Sequence, residues 1–456
     1  MKKITLFLLD LIALYASLII TLFIRYRSNT KEFNALFEPH LISFSVIFIV
    51  WLVVFYIAGL YDQRNFRNTA QFYSGFFRTI SVAGAVSVIF FYLIPIFGIT
   101  PKTNLFIFIV IFTLLESANR YLFNNVAEKK FKKPMLIVGA SPQAVELAKF
   151  ITDNPQFGYD LKYLVNLNSG EIGQSNNFGE IPIIEGAAEL EQIVTDAKIN
   201  TIIIGPEAYQ APEIINVFYK SLEHKITFYS LASFYERLTG RVPLGAINQV
   251  WFLENLSEGN KRTYEMFKRL SDIIFATTIG AVSLVLYPFI VFTIKINSRG
   301  PIFYKQKRIG QIGKIFEILK FRTMRQDAEK TTGAIWAADN DPRVTRIGKF
   351  LRKTRIDELP QLWNILKGEM SLIGPRAERP EFHEILKKEI PFYEERYLIK
   401  PGLSGWAQIN FRYGSSIQDA AEKLQYDLYY IKNRSLILDL GIALKTARIA
   451  LQQSGK

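Results

Sequence analysis

The chain has 456 residues, 49% of them hydrophobic, and a formal net charge of +14. It contains no cysteine, which excludes a disulfide framework, a thiolate nucleophile and a cysteine-ligated metal centre. Its histidines, His40, His224 and His383, lie far apart in sequence, so neither a histidine-rich metal site nor a histidine-centred triad is expected. A metal here should be a hard cation held by carboxylates and phosphates, magnesium or manganese. The length suits two or three domains. The basic excess fits anionic lipid heads and phosphorylated substrates. Nucleic acid is not expected as a partner, because the basic residues accompany apolar spans rather than an exposed aromatic and basic surface.

Four apolar stretches fill the first 120 residues: Ile4–Ile24, Leu41–Leu60, Thr79–Phe97 and Asn104–Leu115. The first three are long enough for the ~30 Å hydrocarbon core, which takes about 20 helical residues. The fourth is short unless it runs past Glu116 to Ala118. No signal-peptide cleavage site is evident. A cytoplasmic N-terminus puts ten basic residues inside (Lys2, Lys3, Arg64, Arg67, Arg78, Arg120, Lys129, Lys130, Lys132 and Lys133) and four outside (Arg25, Arg27, Lys31 and Lys102). That asymmetry predicts the N-in orientation.

From residue 134 the pattern changes. MLIVGA, DLKYLVNL, TIIIG and ITFYSL read as strands; PQAVELAKFI, AAELEQIVTDAK and APEIINVFYKSLEHK read as helices. The alternation predicts a doubly wound, Rossmann-like parallel α/β layer. Its first turn, GASPQA, has Gly139 but places Ser141 and Ala144 where a dinucleotide fingerprint has glycines, so NAD is not expected. GQIGK at 310–314 has the wrong spacing for a phosphate loop. Tyr264 and Lys268 have the spacing of short-chain reductases but lie outside the α/β region.

Residues 273–294 are uncharged and long enough to span, yet both flanks are basic and Pro288 interrupts the run. Proline removes a backbone hydrogen bond and kinks a helix. The stretch therefore reads as a kinked helix returning to one face or as a fifth span, with neither favoured by these residues alone.

The last 160 residues carry the densest polar pattern. A strand around Phe316–Phe321 would deliver Lys320 and Arg322. In LRKTRIDELPQL a helical reading places Asp357 and Glu358 about 100° apart, so one can attack while the other holds a metal. Arg352 and Asp357 then share a face only loosely. Arg376, after Gly374-Pro375, could present its guanidinium fork to a phosphate. Cations, a divalent metal and a carboxylate nucleophile together fit phosphoryl transfer.

The pieces KRLSD, RGPIFYKQKRIG, KFRTM, LRKTRIDELPQLWNILKGEMSLIGPR and KPGLSGWAQIN occur in this order. The chain thereby resembles the bacterial polyprenyl-phosphate hexose-1-phosphate transferases, in their long form, over essentially its whole length. The resemblance implies transfer of a sugar 1-phosphate from a UDP-sugar to undecaprenyl phosphate with release of UMP, beginning exopolysaccharide, capsule or O-antigen assembly. It implies that Asp357 is the nucleophile and that Glu358 helps hold Mg²⁺, with Mn²⁺ as the alternative. Arg352 and Arg376 match phosphate-contacting arginines; Lys320, Arg322, Lys400 and Gln408 fall in substrate-binding motifs. The family's membrane helix is re-entrant, which assigns Lys268, Arg269, Asp272 and Pro288 to a helix over about 268–297 and puts the active site in the cytoplasm. The implied organisation is four membrane helices over 1–125, the Rossmann-like layer over 130–250 and a mixed α/β monotopic catalytic domain over 258–456. A homodimer in the bacterial inner membrane is the further expectation. Ala377 stands where the family has proline, which should loosen the turn beside Arg376, and Tyr287 stands where a serine usually precedes the membrane proline. The C-terminal stretch, with polar Lys445, Arg448 and Gln452, reads either as an interfacial amphipathic helix or as one packed on the domain. A membrane-bound dehydratase or epimerase would need the missing glycine-rich turn, and a transporter would need more polar residues within the spans than Asp10, Ser17, Thr21 and Glu116.

Overall fold

The computed structural model describes residues 2–27, 29–93, 102–129, 132–167, 177–178, 181–186, 190–256, 261–325, 328, 341–411, 414 and 416–451. Phe97, Lys130 and Gln452 of the sequence reading lie outside them. Contacts divide the chain into two compact units, Met1–Leu231 and Ala232–Lys456.

The first unit opens with four helices, α1 (Lys2–Tyr26), α2 (Thr30–Ile57), α3 (Ala70–Leu93) and α4 (Lys102–Lys129). Each is long and apolar enough to cross a membrane. Aromatic rings build the bundle core: Phe44, Phe48, Trp51, Phe108 and Phe112 touch in succession. The Trp51 indole N–H finds Ser87 Oγ at 2.7 Å, so its polar edge is satisfied in the interior. The fourth helix runs well beyond Ala118 because Glu116 is neutralised within the bundle. Buried Arg120 donates to Glu116 Oε1 at 2.6 Å and to Asp10 Oδ2 at 2.5 Å. Charges at this depth are costly unless paired.

An α/β layer follows: β1 (Lys133–Val138), α5 (Pro142–Asp153), β2 (Tyr159–Asn166), β3 (Asn177–Phe178), β4 (Ile181–Glu185), α6 (Leu190–Asp196), β5 (Thr201–Ile204), α7 (Pro212–Lys220) and β6 (Thr227–Ser230). The sheet order is β3-β4-β2-β1-β5-β6. All pairings are parallel except β3 with β4, two short strands that the sequence reading did not anticipate. Strand order reverses at β1, where open α/β sheets bind ligands. There the Glu207 carboxylate lies over Gly139 and Gly205, so the space and charge a pyrophosphate would need are already taken. The layer is tied to one end of the bundle: Lys2 Nζ donates to Gln156 O at 3.0 Å and Arg67 Nε to Gln156 Oε1 at 2.9 Å.

The second unit begins with α8 (Leu231–Thr239), α9 (Gln249–Asn255) and the helix pair α10 (Arg262–Leu284) and α11 (Tyr287–Asn297). The axes of that pair meet at 61°. Pro288 supplies the reason, because its ring excludes a helical bond to Leu284, the last residue of α10. The antiparallel hairpin β7 (Phe303–Ile309) and β8 (Ile315–Phe321) comes next, with Tyr304 opposite Lys320. Then follow α12 (Arg346–Lys353), α13 (Leu362–Lys367), β9 (Ser371–Ile373), α14 (Pro380–Glu389), β10 (Gly402–Ser404), α15 (Trp406–Asn410), α16 (Ile417–Asn433) and α17 (Leu436–Leu451). Helix α17 packs on this unit through buried Ile442 and a 2.6 Å contact between Thr446 Oγ1 and Ser404 Oγ, while Ile437 and Leu440 face outward.

The backbone of β8 is completed by a side chain. Buried Asn364 accepts from Leu319 N at 3.1 Å and donates to Glu317 O at 2.7 Å, as a neighbouring strand would. Asn364→Ala should therefore lower the stability of this unit by about 2–4 kcal/mol, since it leaves two buried backbone groups unpaired. A thermal melt unchanged from wild type would contradict this.

Candidate active site

A cavity of about 800 Å³ opens in the second unit. Its floor is built from the segment that joins α12 to α13. The helical reading of this segment fails at Arg355, whose φ of +60° is the left-handed conformation. The chain turns sharply there and continues as a tight 3₁₀ turn over Ile356–Gln361. Pro360 lies within that turn and would not fit an α-helix interior. Asp357 and Glu358 are therefore presented from a strained turn packed on β8, not from successive positions of an α-helix.

The two carboxylates are both buried but have opposite surroundings. Glu358 Oε1 accepts from Arg376 Nη2 at 3.0 Å and from Lys320 Nζ at 3.4 Å, and Oε2 from Arg355 Nη1 at 3.3 Å. Burial pushes this carboxyl up, but Arg376, Lys320 and Arg355 outweigh it and hold Glu358 well below the usual carboxylate range. Asp357 makes no hydrogen bond or ion pair with any described residue, and it faces the cavity. Burial pushes it up to about 6, against the pull of Lys320. Burial likewise pulls the Lys320 ammonium below its usual range.

Arg352, in the last turn of α12, reaches the same cavity and is held by Thr323 Oγ1 at 2.9 Å from its Nε. Arg376 is placed by its backbone. Residues 374–376 run so close to β10 that a Cβ at Gly402 would overlap the Gly374 backbone, which explains the glycine in each motif. Gly402 N donates to Pro375 O at 2.8 Å. The Arg376 carbonyl accepts from Arg396 Nη2 at 3.0 Å, and the next carbonyl, of Ala377, from Arg308 Nη1 at 2.9 Å. Arg396 is itself anchored to Asp427 at 2.8 Å.

The structure thus gathers Asp357, Glu358, Arg352, Arg376, Lys320, Arg322 and Gln408 around one cavity. Arg322 spends its guanidinium on the carbonyls of Ser298 at 2.7 Å and Arg299 at 3.0 Å, so it braces the chain after α11. Lys400 does not line the cavity; its ammonium lies beside Gly368 and Arg269. The KRLSD residues fasten α10 to the core instead. Lys268 Nζ meets Asp439 Oδ2 at 2.7 Å, Arg269 donates to Ile365 O at 2.6 Å, and Asp272 Oδ1 accepts from Leu372 N at 3.0 Å. Arg308, Thr323, Arg396 and Asp427 were missed. Arg396 and Asp427 lie in helical turns that carry no chemical signature in sequence, whereas Arg308 and Thr323 sit in the motifs RGPIFYKQKRIG and KFRTM.

A family model for the bacterial sugar transferases matches residues 263–453, which hold every one of these cavity residues. The exopolysaccharide production protein PSS of Rhizobium leguminosarum bv. phaseoli is 37% identical over 194 residues, 41% of this chain and 92% of that protein. The chain belongs to the bacterial sugar transferase family. An undecaprenyl-phosphate N-acetylgalactosaminephosphotransferase of Aeromonas hydrophila, named for a UDP-N-acetylgalactosamine donor, is 42% identical over 230 residues, 50% of this chain and 53% of that protein. The match thus spans about half of that relative. The UDP-glucose:undecaprenyl-phosphate glucose-1-phosphate transferase of Klebsiella pneumoniae is 30% identical over 334 residues, 69% of this chain and 67% of that protein, so likeness to this sugar transferase extends beyond the catalytic unit.

The contrast between the two carboxylates gives opposite expectations for stability. Glu358→Gln removes the anion that three cations share and should cost about 3–5 kcal/mol. Asp357→Asn removes an unpaired buried charge and should leave stability unchanged or higher by about 1 kcal/mol. Denaturant melts of the two variants would test this, and equal destabilisation would refute it.

Proposed function

We propose that this sugar transferase moves a hexose 1-phosphate from a UDP-sugar to undecaprenyl phosphate through an acyl phosphate on Asp357. The observation that carries the reading is the unpaired Asp357 carboxylate beside a Glu358 locked among three cations. An Asp357 oxygen attacks the β-phosphorus of the donor, and the bond to the bridging oxygen breaks, releasing UMP. An oxygen of the lipid phosphate then attacks the same phosphorus and restores the Asp357 carboxylate. Arg352 and Arg376 stabilise charge on the transferring phosphate, and Lys320 and Arg355 keep Glu358 ionised. A cavity of about 800 Å³ suits a ligand of nucleotide-sugar size.

Among the described residues no three Asp, Glu or His side chains converge as a metal cage. Mg²⁺ commonly takes one or two protein carboxylates and fills its shell with phosphate oxygens and water. The Asp357–Glu358 pair fits such a cation arriving with the diphosphate, with Glu358 as its protein ligand. Mg²⁺, or Mn²⁺ in its place, would neutralise charge on the phosphates.

Re-entrance of α10–α11 is supported by the attachment of both its ends to one core: Asp272 bonds Leu372, and Ser298 bonds Arg322. The basic excess at Lys2, Arg64 and Arg67, the end of the bundle that holds the α/β layer, favours the cytoplasm for that end. We place the protein in the bacterial inner membrane, as a homodimer whose Rossmann-like layer is regulatory or dimer-forming. Its product would enter exopolysaccharide, capsule or O-antigen assembly.

The test is UMP release from UDP-glucose, UDP-galactose and their N-acetylated forms, with undecaprenyl phosphate and Mg²⁺. One donor should react, and both Asp357→Asn and chelation by EDTA should abolish release, with a phosphosugar adduct on Asp357 detectable by mass spectrometry. Turnover by Asp357→Asn would remove that residue as nucleophile.

A further inference from the structure

Thr323 lies two residues beyond β8 and is buried. Its carbonyl accepts from Thr345 N at 3.0 Å and from Thr345 Oγ1 at 3.2 Å, at the start of α12. Its hydroxyl accepts from Arg352 Nε at 2.9 Å, at the end of the same helix. One residue therefore holds both ends of α12. The helix lies directly on it: a Cβ at Gly348 would overlap the Thr323 carbonyl, so only glycine permits the contact.

The Arg352 guanidinium is planar, with its donors in a fixed fork. A bond at Nε fixes the rotation of that plane, and with it the directions in which the two Nη groups can donate. No described residue accepts from those Nη atoms, and Arg352 borders the cavity. Asp341, a carboxylate on the same side of the cavity, is taken up by Arg343 at 2.6 Å. The Nη donors of Arg352 are thereby left for a ligand.

We propose that Thr323 is the positioning residue that aims Arg352 at a phosphate of the substrate, an inference that rests on the phosphoryl-transfer reading and adds a residue to it. A threonine hydroxyl does this where a bulkier polar group would displace α12. Without that hydroxyl the guanidinium samples several orientations, and each binding event must order it again.

The experiment is a double-mutant cycle on the full-length protein, read by calorimetric binding of inorganic pyrophosphate and by UMP release. Thr323→Val, which keeps the shape and removes the acceptor, should weaken pyrophosphate about tenfold, the size of one side-chain ordering cost. Thr323→Ser should restore binding to within about twofold of wild type. In an Arg352→Ala background, Thr323→Val should cost nothing further. Gly348→Ala, which moves the helix and keeps both side chains, gives a second route: its loss should also vanish in that background. Wild-type binding by Thr323→Val, an undiminished Thr323→Val loss after Arg352→Ala, or no weakening by Arg352→Ala itself would each overturn the proposal. If wild type releases UMP from no UDP-hexose, the transferase reading fails, and the pyrophosphate cycle still decides whether Thr323 acts through Arg352.

Discussion

Glu358 is the point on which the site depends. Its three cations come from three separate places: Lys320 from the end of β8, Arg355 from the left-handed break after α12, and Arg376 from the turn after β9. A buried ion cluster adds little stability over apolar packing of the same volume. It does supply geometry, because a single carboxylate can satisfy all three partners in only a narrow range of positions. The same cluster creates the asymmetry on which the proposed chemistry rests. With Glu358 taking the ion pairs, its neighbour Asp357 is left ionisable and unpaired at the cavity wall.

Around that centre, arginines act mainly on backbone. Arg396 and Arg308 hold the carbonyls of Arg376 and Ala377, while Arg322 holds those of Ser298 and Arg299. Ala377 should loosen its turn in the absence of a proline ring. The two guanidinium bonds provide an external constraint at the same place, each a charge-assisted bond of about 1.5–3 kcal/mol. Arginines around the cavity are thus of two kinds, those that face it and those that hold the chain that carries them.

The four-helix bundle follows the same rule of pairing buried charge. Arg120 joins Asp10 and Glu116 inside the bundle, which lets α4 continue past an acidic residue that would otherwise end a span. In the α/β layer the reversal point of the sheet is preserved, but Glu207 stands over its glycines. Negative charge at that position opposes a phosphate ligand.

The amino-acid sequence by itself determined the elements with a strong period or composition. The four apolar helices, the main strands of the parallel layer and the break at Pro288 follow from hydropathy, β-branched runs and a missing backbone N–H. It also determined which residues crowd into one region, since Lys320, Arg352, Asp357, Glu358 and Arg376 lie within 57 residues of one another. Only the tertiary structure decided what each of them contacts there. The left-handed φ of Arg355 belongs to a residue type that rarely adopts it, so local propensity predicts a continuous helix and places the carboxylates wrongly. Lys400 falls in a motif beside the site yet points to Gly368, and Arg396 with Asp427 reaches the site from outside every motif. Pairing across such distances depends on where packed elements bring side chains, and no local pattern encodes it. The different surroundings of Asp357 and Glu358, adjacent and chemically alike, were therefore set by the three cations that folding brought to one of them and kept from the other.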